Sequence, residues 1–178
     1  MICESYEVIE TIKEKYKNSQ LAFEFSIHDF TFAGMEGREI LNVEKELLTK
    51  SWLEEQISGK EDKELSLHCW VTKDKSNYFI PMIDFICKSK PNLKDLLPLH
   101  YDFQIYSSGN SYHGYSPVLV PAKEWHSYMG DLLLLNMPNK EGIVDSRWAG
   151  HSFINGFCAL RLTSNLKSEI TRVTMEDK

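Results

Sequence analysis

The sequence predicts an α/β protein of the α+β kind, a mostly antiparallel sheet covered by helices, and three observations carry that expectation. Short runs alternate apolar with polar residues, the pattern of half-buried strands. Apolar residues recur at helical spacing in separate segments between those runs, and hairpin-length turns join the late strands. With 178 residues, 42% hydrophobic and 26% charged, the chain reads as a single domain over 1–178 with a sizeable core.

In order, Ile9, Ile12 and Tyr16 predict a short helix that stops before Asn18-Ser19. Leu21, Phe23, Phe25 and Ile27 alternate with small or polar residues as a strand, which Gly34 and Gly37 interrupt. A second helix is expected from about Ile40 to Ile57, on an apolar face of Val43, Leu47, Leu48, Trp52 and Leu53. Leu65, Leu67, Cys69 and Val71 form the next strand, and a turn at 73–77 leads into the nearly continuous apolar run Tyr78–Cys87. That run reads as a central strand, with Pro81 marking an edge segment or bulge.

Residues 88–97 read as a loop and a short helix stopped by Pro98. Strands over 101–106 and 112–120 flank the polar turn 107–111. Pro121 suits the first position of a helix that Ala122, Trp125, Met129, Leu132 and Leu133 carry to Met137. A turn at 139–142, a strand over 157–163 and a last strand over 170–175, paired to it through a turn at 164–168, complete the expectation.

A net charge of −6 and a pI near 5.5 argue against a general phosphate-coating surface; any nucleic-acid contact needs a local basic patch. No apolar run approaches the ~20 residues that span a bilayer, and the charged, helix-patterned N-terminus is no signal peptide. Cys3, Cys69, Cys87 and Cys158 are scattered, without zinc-ligand spacing, as buried reduced thiols are. The expectation is a soluble, cytoplasmic protein without membrane partners.

Three segments place polar residues where the pattern calls for burial. Asp84 interrupts the run Phe79–Ile86; an acid there is costly unless paired, hydrogen-bonded or bound to metal, and capping a neighbouring loop is the plainer alternative. Between two strands, Tyr106–His113 combines Gly109, small hydroxyl residues and His113, which suits an anion as well as an ordinary hairpin turn. Asp145 precedes Arg161, a guanidinium within an apolar strand; a phosphate clamp or a salt bridge would each explain it, and Arg147 and His151 read as loop stabilisers.

Taken in order, Asp84, then Ser111-Tyr112-His113, then Asp145 with Arg161 resemble the three motifs of the archaeo-eukaryotic primase superfamily: Asp-x-Asp on a strand, Ser-x-His, and an Asp with a basic strand nearby. The resemblance covers residues 78–173 and implies a primase-like, RRM-like core. It implies a nucleotidyltransferase that joins nucleotides on a template, with NTP or dNTP as substrate and Mg²⁺ or Mn²⁺ as cofactor. Asp84 and Asp145 would hold the metal and, with His113, form the catalytic set; Ser111, His113 and Arg161 would hold the triphosphate.

One departure stands out: the acid expected two residues after Asp84, on the same strand face, is Ile86. Fewer carboxylates mean less charge for a hard cation, unless Asp102 compensates from a neighbouring strand. Three readings therefore stand side by side. The first is an active primase-type enzyme. The second is an inactive primase-like module that binds nucleotide, single-stranded DNA or RNA, or a protein partner supplying other replication functions. The third is a helix-covered sheet whose motifs are only turns and ion pairs. Tyr106, Tyr112, Tyr115 and Trp148 would stack on bases under the first two and pack the core under the third.

Overall fold

The computed structural model describes residues 1–29, 38–60, 62–92, 94, 96, 99–163 and 170–173. After a single 3-10 turn at Glu4–Tyr6, helix α1 (Glu7–Lys15) buries Val8, Ile9 and Ile12. Its acids Glu7 and Glu10 lie in the first turn and Lys13 and Lys15 in the last, which complements the helix dipole.

Strand β1 (Leu21–Asp29) pairs antiparallel with β2 (Arg38–Glu44), Phe23 opposite Val43 and His28 opposite Arg38. Helix α2 (Lys50–Gln56) starts at Thr49, whose hydroxyl accepts the Trp52 amide at 3.0 Å. The long helix expected over Ile40–Ile57 is thus a strand and a short helix. Residues 38–44 form an edge strand in which only Val43 is buried, so alternation was too faint to compete with the helical spacing of Val43, Leu47, Trp52 and Leu53.

Strand β3 (Lys63–Lys73) is the centre of the first sheet, with β1 on one side and both β4 (Ser76–Phe79) and β9 (Ala159–Arg161) on the other. A short β8 (Val120–Pro121) lies beyond β4. The second sheet runs β10 (Thr171–Arg172), β6 (Gln104–Ser107), β7 (Tyr112–Tyr115), β5 (Met82–Asp84), and all its pairings are antiparallel. The expected central strand Tyr78–Cys87 is divided between the sheets at Ile80-Pro81, and the expected strand 112–120 is divided at 116–119. Proline removes a ladder donor, and Pro81 and Pro117 sit at the two crossings.

Helices α3 (Trp125–Leu134) and α4 (Ser146–Asn155) pack together through Trp125 and Phe153, ring centroids 5.8 Å apart. Helix α4 replaces an expected loop; its Asp145 cap and the left-handed Gly156 (φ 76°) bracket it. The last strand pairs with β6, not with β9 as expected: Thr171 stands opposite Ser107. Gly34, Gly37, the turn 164–168, the end of the last strand and Pro98 lie outside the described residues. No helix among the described residues is long and apolar enough to cross a membrane.

The two faces of the β1–β3 ladder differ sharply. Phe23, Phe25 and Ile27, opposite Val71, Leu67 and Leu65, belong to the continuous apolar core. The alternate positions carry Ser26, His28, Glu64, Ser66 and His68, joined across the β3–β9 pairing by Arg161. Ser26, Glu64, Ser66, His68 and Arg161 are all buried. Polar side chains withdrawn from water in a row need partners or a ligand.

Candidate active site

That polar row meets the end of the second sheet. An open cleft of about 220 Å³ is lined by His28, Arg38, Glu64, Ser66 and Arg161 from the first sheet, with Ala159 and Leu160, and by Asp84 and His113 from the second. Three residues singled out in the sequence, Asp84, His113 and Arg161, converge there.

Register makes the first contact. Asp84 ends β5 directly opposite His113 on β7, so both side chains leave the sheet on one face. His113 Nε2 lies 3.7 Å from Asp84 Oδ1, and the ring stands edge-on to Tyr115 at 6.4 Å. Beside it, a Cβ on Gly114 would meet Phe85 Cε2 at 3.0 Å and Ile105 Cδ1 at 3.2 Å, so a larger residue here requires those side chains to shift by a few tenths of an ångström. Burial raises the Tyr115 phenol far above its ordinary pKa, with the charges of Tyr106 and Asp84 adding to the effect.

Arg161 is a tie between the sheets. Its Nη1 donates to the Thr163 carbonyl at 2.8 Å and its Nη2 to the Ser108 carbonyl at 2.7 Å, which fixes the β6–β7 turn against β9. The guanidinium still contributes positive charge to the cleft wall that it lines.

Ser111 and Asp145 are placed beside the cleft rather than in its lining. The Ser111 hydroxyl donates to the Phe85 carbonyl and, at 3.3 Å, to that of Cys87. It thereby holds the hairpin end to the segment that follows Asp84. The Asp145 amide donates to the Asp84 carbonyl at 2.8 Å, which sets the two acids opposite each other. Asp145 Oδ1 accepts the amides of Arg147 (2.8 Å) and Trp148 (3.2 Å), the N-cap of α4.

Ile86 also lies outside the lining. It is 53% exposed, and its Cγ2 is 3.3 Å from where a Cβ of Gly142 would stand. Asp102 is exposed ahead of β6 and does not line the cleft. Tyr106 and Tyr115 are core residues in edge contact at 5.8 Å, and the Trp148 indole donates to the Ala159 carbonyl at 3.1 Å. Packing occupies these aromatics.

His28, Arg38, Glu64 and Ser66 complete the cleft and went unmarked in the sequence. A signal was present: Ser26 and His28 on one strand, and Glu64, Ser66 and His68 on another, interleave with apolar residues at period two. Their withdrawal from water, which distinguishes a site from a solvated face, appears only in the assembled fold, where Ser26, Glu64, Ser66 and His68 are buried.

Among the described residues no group of three His, Cys, Asp or Glu side chains is arranged to enclose a metal ion. Mg²⁺ commonly takes one or two carboxylates and completes its shell with water and substrate phosphates. The Asp84 carboxylate in the cleft suits this incomplete arrangement, with Asp145 beside the cleft and one oxygen of its carboxylate used by the cap. The residues fit a cation that phosphate oxygens would finish, and they do not form a cage.

Where the two sheets meet, Asp84 and His113 of the second face Glu64, Arg38 and Arg161 of the first across one cleft. The family described as AEP-like, archaeo-eukaryotic primase 1D-like, matches residues 44–174. The chain belongs to that family. No curated protein matches the sequence. The fold is similar to that of the crystal structure of primase RepB', with a TM-score of 0.51 at 9% identity. The likeness covers 96% of this chain and 56% of that one, so the chain spans little more than half of that structure.

Proposed function

We propose that the chain is a primase-type nucleotidyltransferase module whose reaction centre is the cleft between the sheets. The observation that carries this reading is the meeting of Asp84, His113 and Arg161 in one cleft, with Asp145 paired to Asp84 through the backbone. Asp84 and Asp145 would hold Mg²⁺ or Mn²⁺. The metal, when bound, supplies Lewis-acid stabilisation of charge on the transferring phosphoryl group.

The chain's own residues orient the substrate. His113 donates to a phosphate oxygen from a position fixed by Asp84 and Tyr115. Arg161 supplies charge to the same wall and sets the turn 107–111, while Ser111 fixes the backbone after Asp84 so that the triphosphate meets a preformed edge. NTP or dNTP is the substrate, single-stranded DNA or RNA the template, and a protein partner supplies further replication functions.

A second reading, binding without nucleotidyl transfer, is favoured by one specific observation. Ile86 stands outside the cleft, where the family pattern has its second acid.

Calorimetric titration of ATP and dATP with and without Mn²⁺ tests both. Metal-dependent binding that Asp84→Asn weakens by about tenfold or more, about 1.4 kcal/mol, supports the site. Primer extension by the wild type then separates transferase from binding module. Equal binding by wild type and Asp84→Asn would sink the assignment of the metal site.

A further inference from the structure

Arg38 brings a guanidinium into the cleft from the edge of the first sheet. It enters from β2, opposite His28, and lines the cleft with Asp84, His113 and Arg161. Its Nε–H is buried and meets no acceptor among the described residues. A buried donor without an acceptor is costly to keep. Burial lowers the affinity of this guanidinium for its proton, an effect that the charge of Glu64 opposes.

The side chain is nevertheless held in place. The guanidinium carbon lies 5.9 Å from the centroid of the Phe157 ring. Phe157 stacks on His68, centroids 4.1 Å apart and planes 16° from parallel. His68 in turn is fixed by Glu24, whose Oε1 is 2.6 Å from Nδ1, and is fully buried. An acid, an imidazole and a phenyl ring thus form a pedestal under one cation. Arg161, the other guanidinium of the cleft, has its Nη1 and Nη2 on carbonyl oxygens.

We propose that Arg38 is the guanidinium that takes an anionic oxygen of the bound polyphosphate, and that the Phe157–His68–Glu24 stack positions it. This rests on the reading of the cleft as a nucleotide site and changes which arginine does the holding. A planar fork presented by a supporting ring suits a phosphate oxygen, which the terminal amino groups of the guanidinium would meet. The N-terminal hairpin then belongs to the binding machinery.

The test uses two probes on the full chain: inorganic tripolyphosphate in EDTA, and ATP with Mn²⁺. Arg38→Ala is expected to weaken both by about tenfold, the loss of one charge-assisted contact. Arg38→Lys keeps the charge without the fork and recovers part of the loss. Phe157→Leu keeps the bulk without the ring, and is expected to weaken tripolyphosphate by about threefold.

Asp84→Asn should weaken the Mn²⁺-dependent probe. Unchanged tripolyphosphate affinity in a folded Arg38→Ala protein overturns the proposal, and if that variant does not fold, unchanged affinity in Arg38→Lys does so. Wild-type protein that binds ATP with Mn²⁺ but no tripolyphosphate overturns the role of Arg38 and leaves the proposed function standing. Binding of neither probe overturns both.

Discussion

Asp84 and Asp145 stand opposite each other, the amide of one donating to the carbonyl of the other at 2.8 Å, yet only the Asp84 carboxylate lines the cleft. Asp145 begins α4, and its Oδ1 holds two amides of the first turn. One residue therefore serves a helix cap and is proposed to serve a metal. The two duties respond differently to substitution.

Asparagine caps helices about as well as aspartate, whereas alanine loses about 1 kcal/mol at such a position. Asp145→Asn is expected to keep the wild-type melting temperature and lose Mn²⁺-dependent nucleotide binding. Asp145→Ala should lose both. Thermal denaturation and calorimetry on the two variants check this; an Asp145→Asn protein with intact metal-dependent binding would leave Asp145 as a cap alone.

Ile86 lies two residues after Asp84, where the resemblance drawn from the sequence leads one to expect an acid. At 53% exposure it contributes little to the core, so Ile86→Asp should shift stability by about 0.5 kcal/mol or less. If its Cβ direction still serves the metal, Mn²⁺ affinity rises in the presence of ATP. Paramagnetic titration of free Mn²⁺ reads this directly. An unchanged affinity would mean that the chain after Asp84 has turned away, in keeping with the Ile86 amide bonded to the Ile143 carbonyl at 3.0 Å.

These two positions also show what a sequence can and cannot carry. Asp84 and Arg161 were legible because a charged group inside an apolar strand is energetically conspicuous, and His113 because it closes a turn rich in glycine and small hydroxyl residues. Their convergence was not legible, since it depends on the chain leaving one sheet at Ile80-Pro81 and entering another. Arg38 and Glu64 were invisible for a related reason: on an isolated strand they resemble a solvated face, and only the assembled fold places them in a cleft. Helix α4 was legible in principle from Asp145 and Gly156, but its weakly apolar face, with only Ala149 and Ser152 buried, offered no periodicity to read.

Arg161 joins β9 to the β6–β7 turn through the Thr163 and Ser108 carbonyls. Removing it leaves two acceptors without a charged donor in a site only 5% exposed. Arg161→Met is expected to cost about 2–4 kcal/mol on the usual value of charge-assisted hydrogen bonds. Amide exchange should quicken in the segment 107–112 beyond the global change. A variant that loses tripolyphosphate binding without any change in stability or exchange would instead make Arg161 a ligand contact only.

Gly114 separates His113 from Tyr115, and a methyl group there would press on Phe85, whose Cε2 lies 3.0 Å from the added carbon. Overpacking of this kind costs about 1–3 kcal/mol. Gly114→Ala should therefore lower the melting temperature and, by displacing β7, weaken nucleotide binding through His113. Binding at wild-type strength in the destabilised variant would show that His113 does not depend on this packing.

The alkaline limit of stability follows from the buried phenols. Burial raises the pKa of Tyr115 and Tyr128 well above its ordinary value, and Tyr106 is raised for the same reason. In the unfolded chain these groups begin to lose protons near pH 10, at about their reference pKa. The folded protein retains the protons at that pH, so the unfolded state binds fewer and stability falls as pH rises. Each retained proton contributes a slope of about 1.4 kcal/mol per pH unit until the folded group titrates. Stability from this source is complete below the unfolded pKa and is lost above it. Tyr115→Phe removes one such group, at the cost of the long hydrogen bond to the Arg161 carbonyl (3.3 Å). It should be slightly less stable than wild type at pH 8 and lose stability less steeply between pH 10 and 11, by about 1 kcal/mol over that unit, because the unfolded phenol is only half ionised at pH 10. Urea denaturation across that range reads the two slopes, and parallel slopes would show that the Tyr115 phenol titrates in the folded protein as it does in the unfolded chain.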